Sequence, residues 1–147
     1  VVARGWREQK FRTALLKDAT PAVSEMRFFG RHGEHIVAFE NTDWNNKLVV
    51  CTLYSSYPWP LLGIPPGWYK SDAYRARAVR EPRKVLAEFG LELARDVALK
   101  TWDSTAEIRY LVIPQQPAGT QGWSAEALAA LVTRDAMIGT AIVPSPA

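Results

Sequence analysis

Lys47-Leu48-Val49-Val50-Cys51-Thr52-Leu53-Tyr54-Ser55-Ser56-Tyr57-Pro58-Trp59-Pro60 decides how this chain is read. Its opening is the aliphatic, β-branched run of a strand. After Cys51 hydroxyl side chains crowd in, and Pro58 and Pro60 stop any regular structure. A strand that ends in a compact polar loop holds functional groups on a rigid scaffold. The stretch therefore predicts a strand over residues 47–53 that delivers a site.

Upstream, Glu34 to Glu40 alternates, with Ile36 and Ala38 on one face and Val37 and Phe39 on the other, which predicts a first strand. Asn41 to Asn46 is a polar connection, and Gly30-Arg31-His32-Gly33 a turn. Residues 1–18 have Val2, Trp6, Phe11, Ala14 and Leu15 near one face and cations on the others, so they predict one amphipathic helix. It starts without a capping signal, which points to a native N-terminus further upstream. Ala19-Thr20-Pro21 is expected to end it, and Ala22 to Phe28 to form a short helix or turn.

Downstream, the prolines at 58, 60, 65 and 66 leave room for at most a short helical turn. Asp72 is placed as the N-cap of a helix running to about Val79. Glu81 to Phe89 predicts another, with Pro82 in its first turn and Gly90 after its end. Val97–Trp102 and Glu107–Ile113 read as strands joined by a hairpin-like turn. Ser124 caps a helix over 125–132, Thr133 caps one to Met137, and Gly139–Val143 reads as a last strand. The sum is an α/β (α+β) domain with a mostly antiparallel or mixed sheet.

At 147 residues the chain is expected to be one domain, residues 1–147. One cysteine excludes an internal disulfide framework and suits a reducing, cytoplasmic setting. No apolar run approaches the ~20 residues of a membrane span. The charge of +3 comes mainly from residues 4–17 and from Arg75, Arg77, Arg80, Arg83 and Lys84. Acidic residues interrupt both groups and no nucleic-acid module is visible, so they read as a solvated or interface face. Six tryptophans fit a partner surface. A phosphate-binding glycine loop, a Cys-x-x-Cys pair and a His-Glu-x-x-His motif are all missing. Cys51 with His32 and His35 is a weak nucleophile constellation, since a lone buried cysteine is more often a small hydrophobe.

At Cys51 the residues acquire a resemblance. Val50-Cys51-Thr52-Leu53-x-Ser55-x-Tyr57-Pro58-Trp59-Pro60, followed by Leu62-Gly63-x-Pro65-Pro66-x-Trp68-Tyr69-Lys70, resembles the alpha subunit of nitrile hydratase and the related metal-binding subunit of thiocyanate hydrolase. Tyr74-Arg75-Ala76-Arg77, Val79 to Leu86, Trp102-Asp103-Ser104, Glu107-x-Arg109-Tyr110, Pro117 to Ser124 and Asp135-x-Met137-Ile138-Gly139 extend the likeness over nearly the whole chain. The resemblance implies helical layers flanking β-structure and a beta-subunit partner. The family's N-terminal helical arm, which embraces that partner, has no counterpart in this sequence.

The family's chemistry implies a Cys-Thr/Ser-Leu-Cys-Ser-Cys claw, whose three sulfurs and two deprotonated backbone amides hold cobalt(III) or iron(III). The metal acts as a Lewis acid on the nitrile or on water. Thr52 resembles the cobalt lineage. Cys51 keeps the first sulfur position, but Tyr54 stands at the second and Ser56 at the third, with Ser55 retained. A phenol of ordinary pKa about 10 and an alcohol replace soft thiolates poorly. No metal and no cofactor are therefore expected. Nineteen residues before Cys51 stands His32, where the family has a glutamine lining the pocket.

Three changes on one pocket suggest a site rebuilt for metal-free acid–base chemistry of lyase or isomerase type. Cyclisation, isomerisation or hydration/dehydration of a small specialised-metabolite-like molecule would suit it. Tyr54, His32, Ser56 and Ser55 would be catalytic. Thr52, Tyr57, Trp59 and Cys51 would hold substrate, and Glu107 and Arg109 would form an ion pair or network behind the loop. Each has a plainer reading: Tyr54 as a plug for the vacated metal cavity, the serines as backbone hydrogen-bond partners, His32 as an exposed turn residue. The alternative is a non-catalytic alpha-like subunit bound to a beta-like partner or to itself. A metal-dependent hydratase ranks last on ligand chemistry.

Overall fold

Leu48, Val49 and Val50 are buried on both faces of their strand, and this decides how the strand pairs. The computed structural model describes residues 1–27, 35–51, 58–105 and 107–146. Strands β1 (His35–Glu40), β2 (Asn45–Cys51), β3 (Ala98–Ser104) and β4 (Ile108–Ile113) form two two-stranded sheets, and both are parallel. Parallel strands are covered on both faces and read as continuous apolar runs, as β2 does. The expected antiparallel or mixed sheet is thus corrected. The hairpin between the last two strands is corrected too: β3 pairs with β2 and β4 with β1.

Parallel pairing requires a long crossover. Between β2 and β3 it contains α4 (Trp59–Leu62), a 3-10 turn (Gly67–Lys70), α5 (Asp72–Arg80) and α6 (Pro82–Glu88). α5 is capped by Ser71, whose hydroxyl accepts from the Tyr74 N–H at 3.1 Å, one residue before the expected Asp72. α6 starts with Pro82 and is followed by Gly90 at φ 87°, as expected.

The N-terminal segment is α1 (Val2–Arg7) and α2 (Gln9–Lys17), not one helix. The break falls at Glu8, whose backbone is extended. It lets each half reach its own anchor. Trp6 Nε1 donates to the Pro114 carbonyl at 2.8 Å, while Arg12 pairs with Glu40 at the end of β1. α3 (Ala19–Glu25) starts where a terminus was expected, because Pro21 sits in its first turn, where a missing N–H costs nothing. α7 (Ala125–Leu131) and α8 (Arg134–Ile138) carry the expected caps at Ser124 and Thr133. Residues 139–143 are not a strand. Gly139 ends α8 at φ 101° and lies against the backbone of β2.

Leu15, Val23, Leu48, Val50, Leu86, Leu111 and Ile138 join in one buried core cluster. Of the two faces expected for β1, the one with Ile36 and Ala38 is buried, and Val37 on the other is exposed. Among the described residues, no helix is long and apolar enough to cross a membrane.

Candidate functional site

Strand register puts the described residues that flank the predicted site at one end of the sheets. Cys51, the last residue of β2, lies opposite Ser104, the last of β3. His35, the first residue of β1, lies opposite Ile108, the first of β4. Only three residues separate Ser104 from Ile108 in sequence, and the Thr105 N–H donates to the Ile108 carbonyl at 2.8 Å. The chain therefore leaves β2 and enters β1 at the same end. Thr52, Tyr54, Ser55, Ser56, Tyr57 and His32 lie outside the described residues. Trp59 opens α4.

Several groups hold that end in place. The Ser104 side chain is fully buried, and its Oγ accepts from the Tyr110 N–H at 3.2 Å, tying β3 to β4. Tyr74 Oη donates to the Val49 carbonyl at 2.9 Å, two residues before Cys51, and fixes β2 to α5. Burial pushes the Tyr74 phenol up, and the Asp135 carboxylate adds to the shift. Arg75 Nη2 pairs with Asp103 Oδ2 at 2.7 Å, binding the same helix to β3. Phe39, Trp102 and Tyr110 form an aromatic cluster with centroids 5.2 to 5.4 Å apart. Lys100 Nζ caps it, 4.3 Å from the Trp102 ring centroid.

Glu107 and Arg109 separate. Arg109 is buried on β4 opposite Ile36, and Glu107 is exposed. Among the described residues no ion pair joins the two to each other; the loop they were expected to support lies outside the described residues. The Glu107 carbonyl accepts from the His35 N–H at 2.7 Å at the start of the ladder, and Arg109 follows two residues later inside it. Ser104 and Tyr74 had no assigned role in the sequence. Both fall in blocks that carry the family resemblance, and those blocks were the available signal. Among the described residues, no group of three or more His, Cys, Asp or Glu side chains is arranged to hold a metal ion.

Val37 and Ile108, 40% and 37% exposed, line a groove beside this end. Lys17, Asp18 and His35 line it as well, and its volume is about 290 Å³.

The described residues define an α/β domain in which Cys51 ends one of two pairs of parallel strands. Its kin are specific. The family described as nitrile hydratase, alpha chain, matches residues 1–141. The low-molecular weight cobalt-containing nitrile hydratase subunit alpha of Rhodococcus rhodochrous is 55% identical over 146 residues, covering 99% of this chain and 70% of that protein. Thiocyanate hydrolase subunit gamma of Thiobacillus thioparus is 40% identical, covering 99% of this chain and 64% of that one. A double mutant of the Fe-type nitrile hydratase from Comamonas testosteroni Ni1 superposes with a TM-score of 0.92 at 38% identity, covering 99% and 71%. The chain belongs to the nitrile hydratase alpha-chain family.

This membership corrects the functional expectation. A reaction class of its own, metal-free cyclisation, isomerisation or dehydration, is overturned by identity of about half over the whole chain to nitrile hydratase alpha subunits, several of them cobalt-containing. Three altered positions, 32, 54 and 56, do not outweigh a scaffold shared throughout.

Proposed function

We propose that this chain is the alpha-type subunit of a heteromeric assembly of the nitrile hydratase family, docking a beta-type partner at its loop end. The observation that carries the reading is the apolar pair Val37 and Ile108, exposed beside the strand ends that flank the loop. Isolated exposed aliphatics are ordinary, but two sharing one groove at a candidate site fit a partner surface. Further support comes from the relatives, which are named as alpha and gamma subunits.

In this reading residues 1–147 are one domain, supported by a core cluster running from Val2 to Ile138. Cys51, Thr52, Tyr54, Ser55, Ser56, Tyr57 and Trp59, with His32, line the pocket under the partner. Support is topological: the strands on either side of these segments share one end. Glu107 and Arg109 flank it from β4.

The family's metal is a separate matter. Cobalt(III) and iron(III) call for the three thiolates of the claw, and Cys51 is the only cysteine of the sequence. Tyr54 and Ser56 offer hard, protonated oxygen donors at the other two positions. The residues present do not fit the group, and no step here runs through it. The contribution assigned to this chain is therefore assembly and pocket wall.

A second reading, retention of the hydration chemistry of its cobalt-containing relatives, is favoured by the 55% identity to one of them. One experiment separates the two. The chain is co-expressed with a family beta subunit in cobalt-supplemented medium, and the purified product is analysed by mass photometry and elemental analysis. A stoichiometric complex without bound cobalt or iron is the expected result. A chain that never associates sinks the subunit assignment. Stoichiometric cobalt with nitrile hydration selects the second reading.

A further inference from the structure

A second cavity, of about 280 Å³, lies at the other end of the strands, where β1 and β4 finish and β2 begins. Asn41, Asp43, Asn46, Gln115 and Gln116 line it, with Ile142 on an apolar wall. Four carboxamides and one carboxylate converge there. The hydrogen bonds they already make determine what each still offers.

Asn41 Oδ1 accepts from the Lys47 backbone N–H at 2.8 Å, which leaves its NH₂ as a donor. Asn46 Nδ2 donates to the Lys47 and Gly139 carbonyls at 3.3 and 3.4 Å, leaving its oxygen. Gln115 Nε2 donates to Asp43 Oδ1 at 2.8 Å, leaving Gln115 Oε1, its second N–H and Asp43 Oδ2. Gln116 Nε2 donates to the carbonyl and hydroxyl oxygens of Thr120, leaving Gln116 Oε1. Among the described residues, none of these four oxygens accepts a hydrogen bond. Asn41 and Asn46 are 6% and 4% exposed, so their free atoms have only the cavity to serve.

The unused set is four acceptors, one of them on a carboxylate, against three amide N–H donors, two on Asn41 and one on Gln115. The Asp43 carboxylate repels an anion, and a neutral amide would leave most of the oxygens idle. The complement is a cation with several N–H groups and an aliphatic stem for the Ile142 wall. Lys47, the cation next to Asn46 in sequence, is committed elsewhere: its Nζ donates to the Glu40 carbonyl at 2.6 Å. We infer that this cavity binds a guanidinium-type cation on an aliphatic stem. The cavity is small for a drug-sized ligand, for which about 300–1,000 Å³ is typical, and sufficient for a side-chain-sized one. A guanidinium presents five N–H donors in a plane, which matches several acceptors better than the point charge of an ammonium. The inference stands apart from the subunit assignment, since it uses none of the loop-end residues.

The experiment is titration of the full chain, with any subunit that co-purifies, by calorimetry and by NMR of the side-chain amides. The probes are methylguanidinium, its neutral analogue N-methylurea, and a capped Gly-Arg-Gly peptide. Methylguanidinium should bind saturably with a Kd on the order of millimolar, which is what so small a ligand permits, and should shift the Asn41 and Asn46 side-chain amides. N-methylurea should bind at least about tenfold more weakly, because charge-assisted hydrogen bonds are roughly twice as strong as neutral ones. Asp43→Asn should weaken methylguanidinium about tenfold. Gln115→Glu, at an exposed position, should tighten it several-fold. Peptide binding at least as tight as methylguanidinium identifies a protein-borne arginine as the source. Binding of the small ion alone identifies a free metabolite. Equal affinity for N-methylurea, indifference to both substitutions, or unmoved Asn41 and Asn46 amides would overturn the inference.

Discussion

A Cβ placed on Gly139 would lie 1.9 Å from the carbonyl oxygen of Lys47. The contact is backbone to side chain, so no rotamer change relieves it. Gly139 also sits at φ 101°, where a non-glycine residue is strained by roughly 1–3 kcal/mol before any clash. Gly139→Ala should therefore cost more than about 3 kcal/mol, by displacing α8 from β2 or distorting the strand that leads to Cys51. Urea unfolding of the two proteins measures it. A difference below about 1 kcal/mol would mean that the close approach is not maintained in solution.

Ser104 stands opposite Cys51 and receives the Tyr110 N–H. Ser104→Ala leaves that donor without its partner in a part-buried position. Stability should fall by about 1–3 kcal/mol, the usual cost of an unsatisfied polar group. Amide hydrogen exchange gives a local check. Tyr110 should exchange faster in the variant by more than the global loss predicts, whereas uniform acceleration across β4 would argue that the bond carries no special weight.

The buried Tyr74 phenol makes stability pH-dependent in an unusual window. Its folded pKa is raised above the unfolded value of about 10 by burial. A raised folded pKa means that the unfolded state loses the proton first. The contribution is fully present below about pH 10 and declines as pH rises beyond it. Tyr74→Phe removes the ionisation and the bond to the Val49 carbonyl together. Near neutral pH it should cost about 1 kcal/mol, since the ring contacts with Trp68 and Phe89 remain. Between pH 10 and 11.5 the gap should close. Urea midpoints across that range decide it, and parallel curves for the two proteins would contradict the burial argument.

Local chemistry made much of the fold legible. Pro82 and Gly90 bracket a helix, Ser124 and Thr133 cap two more, and the alternation of Ile36 and Ala38 marks a buried strand face. Strand partners were not legible. Cys51 meets Ser104 across the whole α4–α6 crossover, and no residue near either position encodes the other. The break at Glu8 depends on anchors at Pro114 and Glu40, which are equally remote. Residues 139–143 have strand-like composition, but they are not a strand: Gly139 ends α8 in the left-handed region, with its N–H donating to the Asp135 carbonyl, and packs against the backbone of β2. The candidate loop is legible from the strand that runs into it, and the resemblance names it; its substitutions do not carry a new reaction class against the identity of the scaffold. Tyr54 and Ser56 bear on what the loop can ligate, whereas the identity spread over the scaffold bears on what kind of subunit the chain is.

That distinction makes the partner surface the sharpest test. Val37 and Ile108 are exposed on adjoining strands and line one groove, so substituting them disturbs no buried contact of comparable size. Val37→Asp with Ile108→Lys would place two charges in a partner interface that desolvates them. Central interface positions of this kind typically cost 2 kcal/mol or more when disrupted, about thirtyfold in affinity. We expect the double variant to keep its thermal midpoint within a few degrees and to lose at least tenfold in affinity for a family beta subunit, as read by surface plasmon resonance. A matched double variant at Val79 and Ile64, exposed at 56% and 75% and lining neither this groove nor the second cavity, should bind normally. If the two double variants bind alike, the loop-end groove is not the docking surface, whatever their shared affinity.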